Sequence, residues 1–429
     1  MSQIIVLQYA LDPTPTQEQA FSSHAGAVRY AYNWALAKVE ENWAERNNDP
    51  TVPYINSTMI GLRKVWNQEK HVLAPWYGEN SKEAYESGLR NLSNAVTRYY
   101  KKISGRPNFK QKRYSDTEGI TFANGNRLDA TTKRHFVLPR IGRVRLHEKA
   151  RRLSWLLAQP GSSMGLVTVK KSRARWNLSI NIRVTDETWV KYHNQRTKKD
   201  KKKVVGVDVG IKHAAVFSDG TVIENQRYYE KTLKKLRKLN KELSRRQKYN
   251  KTTGEAPSKR YLKTKDKLAK AHARVSNQEI DHAHKLSKQL VDNYEVIGLE
   301  NLNVAGMVRN GRLSRHISHA SFGRLRAWVT YKAQWYGSKV MLVDRFYPSS
   351  KTCSDCGAVK TKLPLSERSY NCNDCGLVID RDLNAAINIR NVAQSCGETL
   401  NGRGGISSGL LASETTPVET ISQALLNNA

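Results

Sequence analysis

The sequence predicts an α/β protein of more than one domain, built around a mixed sheet. Three observations predict it. Strand-type runs alternate with helical ones from about residue 204 onward, the signature of a sheet covered by helices. Residues 16–104 carry apolar side chains at helical spacing. Between the two, residues 105–190 return to the alternation of half-buried strands. At 429 residues the chain is long enough for two or three separate cores.

Residues 2–11 alternate weakly and end at Pro13 and Pro15, which predicts a strand entering a turn. Between Thr16 and Arg46, Ala20, Ala27, Tyr30, Ala31, Trp34, Ala35 and Val39 recur at helical spacing, and Ser81 to Ile103 repeats the pattern. A helical domain over 16–104 follows. In KKISGRPNFKQKR, Gly105 and Pro107 then break the helix inside a basic cluster with one aromatic residue, Phe109. A nucleic-acid strand crossing an ordered loop would suit that composition, and so would a solvated linker. The candidate contacts are Arg106, Phe109, Lys110 and Lys112. Further on, LVTVKKS and WNLSINIRV alternate around a short SRAR turn as a hairpin does. With the first strand, this β-rich module takes in residues 1–15 and 105–190. The charged run RTKKDKKK marks a linker, placed at 191–203.

The third part opens with VVGVDVG, a buried-type strand, and continues in HAAVFSDGTVI, a hairpin turning at Asp219-Gly220. Two basic helices follow, over 227–251 and 259–274. Eleven Lys or Arg against two acidic residues in the first leave it short of the i,i+4 salt bridges that usually support a charged face. A phosphate backbone would restore the balance, so Lys234, Lys235, Arg237, Lys238, Arg245 and Arg246 are candidate nucleic-acid contacts. YEVIGLE reads as a strand, 322–336 as a helix, KVMLVD as a strand, and a last helix begins near Asp382. The core is thus assigned to 204–348 and 379–395, divided by a cysteine-rich insert at 349–378. Residues 396–429 are polar and rich in Gly and Ser, and are expected to be a disordered tail.

Charge narrows the function. The chain holds 72 Lys and Arg against 38 Asp and Glu, a formal net charge of +34. The first hundred residues are balanced, so the excess sits in the remainder. No basic amphipathic anchor, lipidation signal or long apolar run accompanies it, which excludes a membrane protein and leaves nucleic acid as the partner. The start, MSQIIVLQYALDPT, has no secretory pattern, and a cytosolic location is expected.

Four of the five cysteines, Cys353, Cys356, Cys372 and Cys375, form C-S-D-C-G and C-N-D-C-G, with fifteen residues between Cys356 and Cys372. That spacing predicts a four-cysteine zinc ribbon, with Gly357 and Gly376 relieving the two tight knuckles. Four thiolates fill the tetrahedral sphere of Zn²⁺, so the metal would be structural. Two paired motifs exceed what a redox dithiol needs. Cys396 is a bystander.

Two carboxylates end apolar strands, Asp208 in GVDVG and Glu300 in VIGLEN, and a third, Asp382 in DRDLNAAINI, stands just before a helix. An Asp before a Gly is commonly a turn residue and one before a helix commonly a cap. Together, in an α/β sheet, two strand ends and a helix start can converge on one edge. A charge closing an apolar strand is costly to hold without a cation. Oxygen ligands suit Mg²⁺ or Mn²⁺, and paired ions support phosphodiester cleavage. Asp380 is the rival to Asp382.

The order GVDVGIKHAAVFSDG, two basic helices, VIGLENLNVAGM, KAQWYGSKVMLVD, SSKTCSDCG and CNDCGLVIDRDLNAAINI resembles TnpB, the RNA-guided nuclease family of bacterial insertion sequences. DPTPTQEQAF, VRYAYNWAL and GRPNFKQK carry a weaker likeness upstream. The resemblance implies an RNase H-like, RuvC-type nuclease with Asp208, Glu300 and Asp382 as its acidic triad. It also implies a β-barrel wedge domain with an inserted helical recognition domain. A guide RNA, one protein chain per RNA, and a double-stranded DNA target beside a short flanking motif would follow. The sequence departs from the family at Glu279, where an arginine is expected. Readings that share the core are a miniature type V CRISPR effector, a nuclease-silent RNA-guided DNA-binding repressor, and a transposase.

Overall fold

The computed structural model describes residues 2–111, 119–172, 175–194, 200–246, 257–309, 311, 314–320, 322–364 and 366–401. Lys112, residues 195–199 of the expected linker and the tail from 402 lie outside the described residues. The chain divides into two compact units. One holds Met1–Gln195 with Lys235–Arg274, the other Arg196–Lys234 with Val275–Ala429.

The first unit begins with strand β1 (Ser2–Asp12) and the long helix α1 (Pro15–Asn48). Thr14 and Gln17 cap α1 reciprocally: the Gln17 amide donates to Thr14 Oγ1 at 3.3 Å and the Thr14 amide to Gln17 Oε1 at 3.1 Å. Two donors that the helix leaves unpaired are thereby satisfied. Helices α2 (Met59–Leu73) and α3 (Lys82–Tyr100) complete the helical part, joined by a 3₁₀ turn over Pro75–Glu79. The apolar positions that predicted α1 are those it buries, Ala27, Ala31, Ala35 and Val39 among them. At Gly88 a Cβ would collide with the α1 backbone, so glycine sets how closely α3 approaches α1.

The strands of this unit are β2 (Ile120–Phe122), β3 (Arg127–Leu128), β4 (His135–Leu138), β5 (Gly142–Leu146), β6 (Ser163–Ser172) and β7 (Arg175–Thr185). Helix α4 (Arg151–Leu157) precedes β6 and α5 (Asp186–Asn194) follows β7. The hairpin expected over 165–184 is β6 and β7. Among the described residues the strands do not close into the expected barrel. The seven strands run β2-β6-β7-β1-β5-β4-β3, and β2 and β3 are the open edges. β1 pairs with β7 from Ser2 to Ala10 on one side and with β5 only at Leu11 and Asp12 on the other. The edge strands, three and two residues long, present too short a ladder to join. Alternate residues of β7 (Trp176, Leu178, Ile180, Ile182) fill the core with Phe21, whose ring lies 4.8 Å from that of Trp176. Each such buried side chain contributes about 2 kcal/mol.

The second unit carries β8 (Lys202–Asp208), β9 (His213–Phe217) and β10 (Val222–Glu224), with the turn at Gly220 taking φ +84°. The linker expected over 191–203 is shorter than predicted, since α5 runs to Asn194 and β8 starts at Lys202. The basic helices are α6 (Tyr228–Arg246) and α7 (Lys259–Asn293). Then come β11 (Tyr294–Glu300), α8 (Val304–Val308), α9 (Ser314–Ala320), α10 (Phe322–Tyr336) and β12 (Lys339–Val343). A two-stranded ribbon, β13 (Ser369–Asn371) and β14 (Val378–Asp380), leads into α11 (Arg381–Asn401). Residues 396–401, expected in the tail, are therefore helical. The sheet runs β10-β9-β8-β11-β12, with β8, β11 and β12 parallel and the β8-β9-β10 meander antiparallel. It is the mixed sheet that the hairpin predicted. Val205, Val207, Ile297 and Leu299 are fully or almost fully buried in its core.

Candidate active site and metal centre

Asp208 and Glu300 each sit two residues after a glycine, in Gly206-x-Asp208 and Gly298-x-Glu300. Side chains alternate along a strand, so glycine and carboxylate share a face. β8 and β11 run parallel with Gly298 opposite Gly206 and Leu299 opposite Val207. The two carboxylates stand at the carboxyl ends of neighbouring strands, just past that pairing. This is the edge where open α/β sheets place ligands.

Helix α11 covers the glycine face. A Cβ on Gly206 would overlap the Ala386 carbonyl oxygen and the Arg390 amide, and one on Gly298 would fall 2.9 Å from Ala393 Cβ. Ala385, Ala386, Ile389 and Ala393 form the helix's buried apolar face. Small residues on both sides let helix and strands approach closely, and that approach brings the start of α11, with Asp382, to the carboxylate edge.

Within DRD the two acids have different occupations. Asp380 Oδ1 accepts the Asp382 amide at 2.9 Å and the Leu383 amide at 3.1 Å, so Asp380 caps the helix. Asp382 is the second residue of the helix, and its carboxylate, unlike its amide, takes no part in the cap. Glu300 Oε1 accepts the Ser349 hydroxyl at 2.6 Å. Burial, then the negative charges of Glu300 and Asp382, push the Asp208 carboxyl up to about 8, with Arg381 opposing. Each of the three acids is half-buried. Carboxylates gathered at this electrostatic cost are suited to a hard divalent cation. They do not converge on one point: among the described residues, only the cysteines bring three or more ligand atoms within 4.8 Å of one another.

Those four, Cys353, Cys356, Cys372 and Cys375, pair across the ribbon with Sγ–Sγ distances of 3.6 Å for Cys353–Cys375 and for Cys356–Cys372. Zinc–sulfur bonds of about 2.3 Å at tetrahedral angles put sulfurs roughly 3.8 Å apart, so the cluster fits zinc. The two knuckles repeat one design. The Cys353 amide donates to Ala358 O and the Cys372 amide to Leu377 O, each at 2.8 Å, with Gly357 and Gly376 at φ +78° and +75°. Backbone amides of Cys375 and Asp374 draw the Cys372 thiol down to about 7, toward the thiolate a metal needs. The side chain of Cys396 lies outside the described ones.

Residue-by-residue reading missed what ties the ribbon to the sheet. Asn384 and Asn388, both buried, sit one turn apart on α11. Asn384 Nδ2 donates to Thr352 O at 2.7 Å, and Asn388 Nδ2 donates to Ser349 O at 2.8 Å and Thr352 O at 2.7 Å. Ser349 is also the donor to Glu300. The i,i+4 asparagines and the two Gly-x-acid repeats were the available signals.

The candidate nucleic-acid contacts are spread over separate elements. Arg106, Phe109 and Lys110 are exposed in the loop after α3; the Arg106 guanidinium lies 4.9 Å from the centre of the Trp43 ring and the Lys110 ammonium 5.2 Å from that of Tyr32. Lys234, Lys235, Arg237, Lys238, Arg245 and Arg246 are exposed on α6, opposite buried Leu236 and Leu239. Arg246 is also engaged within the helical pair, by Thr264 and, at 3.7 Å, by Glu242. Glu279, where an arginine was expected, accepts from His319 Nδ1 at 2.7 Å.

Together, a mixed sheet with acids at its carboxyl edge, a glycine-seated final helix and a four-cysteine insert between the last strand and that helix define the class. Family models agree with it: "Probable transposase" matches residues 181–311, "Cas12f1-like, TNB domain" 322–389, and "Helix-turn-helix domain" 1–48, a stretch that here is β1 and the single helix α1. A chain from Streptomyces pristinaespiralis named "Putative RNA-guided DNA endonuclease" is 31% identical over 91% of this chain and 90% of its own length. A Mycobacterium tuberculosis chain, "Putative RNA-guided DNA endonuclease Rv2885c", is 31% identical over 89% and 85%. The Escherichia coli chain named "Putative RNA-guided DNA endonuclease InsQ" is 27% identical over 93% and 95%. The chain belongs to the TnpB family of insertion sequences. A solved Cas12f1-sgRNA-target DNA complex aligns over 91% of this chain and 99% of its own at 16% identity, with a TM-score of 0.31, too loose to carry an argument.

Proposed function

We propose that the protein is an RNA-guided endonuclease that cuts double-stranded DNA beside a short flanking motif, using an RNase H-like, RuvC-type core. The observation that carries this reading is that Asp208 and Glu300 end neighbouring strands and that the charges of Glu300 and Asp382 both act on the buried Asp208 carboxyl. When bound there, paired Mg²⁺ or Mn²⁺ ions would supply an activated water and stabilise the leaving oxygen. Asp208 and Glu300 would present oxygens from rigid strand ends. Asp382 would do so from the first turn of α11, and Ser349 would fix the Glu300 carboxylate. The cysteines would hold Zn²⁺ as a structural clasp. The exposed basic face of α6 and the loop at Arg106 would carry guide RNA and DNA backbone. The names of the full-length relatives support an RNA-guided DNA endonuclease activity.

Co-expression of the chain with its native flanking DNA, followed by purification and sequencing of bound RNA, tests the guide. A single defined RNA ending in sequence from outside the gene is expected; only heterogeneous cellular RNA would contradict it. The Cas12f1-like match over 322–389 favours one second reading, a miniature type V effector, and a repeat array beside the gene would assign it.

A further inference from the structure

The second unit has a cavity of about 300 Å³ whose lining includes none of Asp208, Glu300 and Asp382, walled by the first turn of α6, the middle of α7 and the short helix α9. An engineered cavity of about 150 Å³ already admits benzene, so this one has room for a two-ring heterocycle. Its walls are aromatic and polar together. Tyr229 stacks on His319 with ring centres 4.0 Å apart at 19°, and Tyr228 meets His282 edge-on at 6.3 Å. His282 Nε2 is buried with no hydrogen-bond partner among the described residues. Glu279 Oε1 accepts from His319 Nδ1 at 2.7 Å, which leaves Oε2 and the second lone pair of Oε1 as acceptors in the wall. Glu230 holds His316 at 3.2 Å, so two carboxylate–histidine pairs fasten α9 over the cavity. Arg315, exposed on α9, lines it as well.

From this combination we infer that the cavity takes an unstacked guanine base of a nucleic-acid strand. Aromatic rings offer any base a stacking surface. A carboxylate, which only accepts, selects among them. Guanine alone presents two adjacent donors, N1–H and the N2 amino group, on its pairing edge. Adenine and cytosine place an acceptor in the middle of that edge, against the carboxylate's charge, and uracil flanks its one donor with two acceptors. Arginine in turn matches the guanine O6 and N7 acceptors.

The inference rests on the reading that the chain works on nucleic acid, and its test needs no cleavage. Equilibrium dialysis of the full chain against GMP, dGMP and AMP reads it directly. GMP should saturate one site per chain and bind at least about ten-fold tighter than AMP, a margin within reach of the hydrogen bonds an unmatched base forfeits. Glu279→Gln should erase that preference. Because Glu279 also anchors α9, Arg315→Ala, at an exposed position, is the second variant and should weaken GMP several-fold at unchanged melting temperature. GMP binding well above dGMP assigns the pocket to RNA, and equal binding extends it to a displaced DNA strand. Absence of saturable binding, or equal affinity for GMP and AMP, would overturn the proposal. Asp208→Ala should leave GMP binding untouched, which keeps failure here distinct from failure of the nuclease reading.

Discussion

Gly206 of β8 lies directly beneath Ala386 of α11, close enough that a single added methyl group would meet the helix's carbonyl oxygen. This contact sets the distance between the strand that carries Asp208 and the helix that carries Asp382. Gly206→Ala should therefore lift α11, cost about 1–3 kcal/mol through overpacking, and reduce cleavage more than that loss of folded protein explains. Gly298→Ala, which meets mainly side chains at 2.9–3.0 Å, should be milder. Melting curves alongside cleavage rates check both, and a Gly206→Ala protein that cuts at the native rate would separate the seat of α11 from the chemistry.

Asp380 and Asp382 should divide stability and chemistry between them. Removing the cap in Asp380→Ala is expected to cost about 1 kcal/mol while leaving measurable cutting. Asp382→Asn should abolish cutting with little change in melting temperature. The reverse pattern would exchange their assignments.

The ribbon's effect on the site should pass through Asn384 and Asn388. Cys372→Ser is expected to lower bound zinc from about one per chain and to depress stability and cleavage together. Asn388→Leu should keep its zinc yet cut more slowly, because it removes the donor to Ser349 O and Thr352 O without touching a thiol. Metal analysis of both variants decides, and full activity in a zinc-free Cys372→Ser protein would make the ribbon dispensable.

His284 stacks face to face on Trp328 with ring centres 3.8 Å apart, and burial, then the Lys332 ammonium, hold it down to about 4 from an ordinary 6.5. Its folded pKa lies below its unfolded one, so the neutral ring's stabilisation is complete above about pH 6.5 and is lost as pH falls toward 4. Discounted for solvent screening, the effect is on the order of 1 kcal/mol, or roughly 2–4 °C in a unit of this size. His284→Phe should flatten the acid limb of the melting curve between those pH values; an unchanged limb would place the sensitivity elsewhere.

The parts legible in the sequence were those with a period or a fixed spacing. Helix α1 shows in its alanines and aromatics, the β6–β7 hairpin in strict alternation, and the cysteine cluster in two CxxC knuckles. Short helices such as α8 and α9 span fewer than two turns, too few for a repeat to show. The open edge of the first sheet was hidden because closure depends on strand length and bend: β2 and β3 are too short to register as strands in the sequence. The carboxylates were visible singly. What joins them was not, because Gly206, Gly298 and Asn388 act through contacts between segments far apart in the chain.

The most direct measurement is cleavage of a supercoiled plasmid carrying a matched target, in Mg²⁺, by the protein loaded with its co-expressed RNA, with Asp208→Ala beside it. The account predicts cutting that requires the matched RNA, stops on chelation, and is absent from the variant although its RNA and DNA binding persist. Undiminished cutting by Asp208→Ala would contradict it.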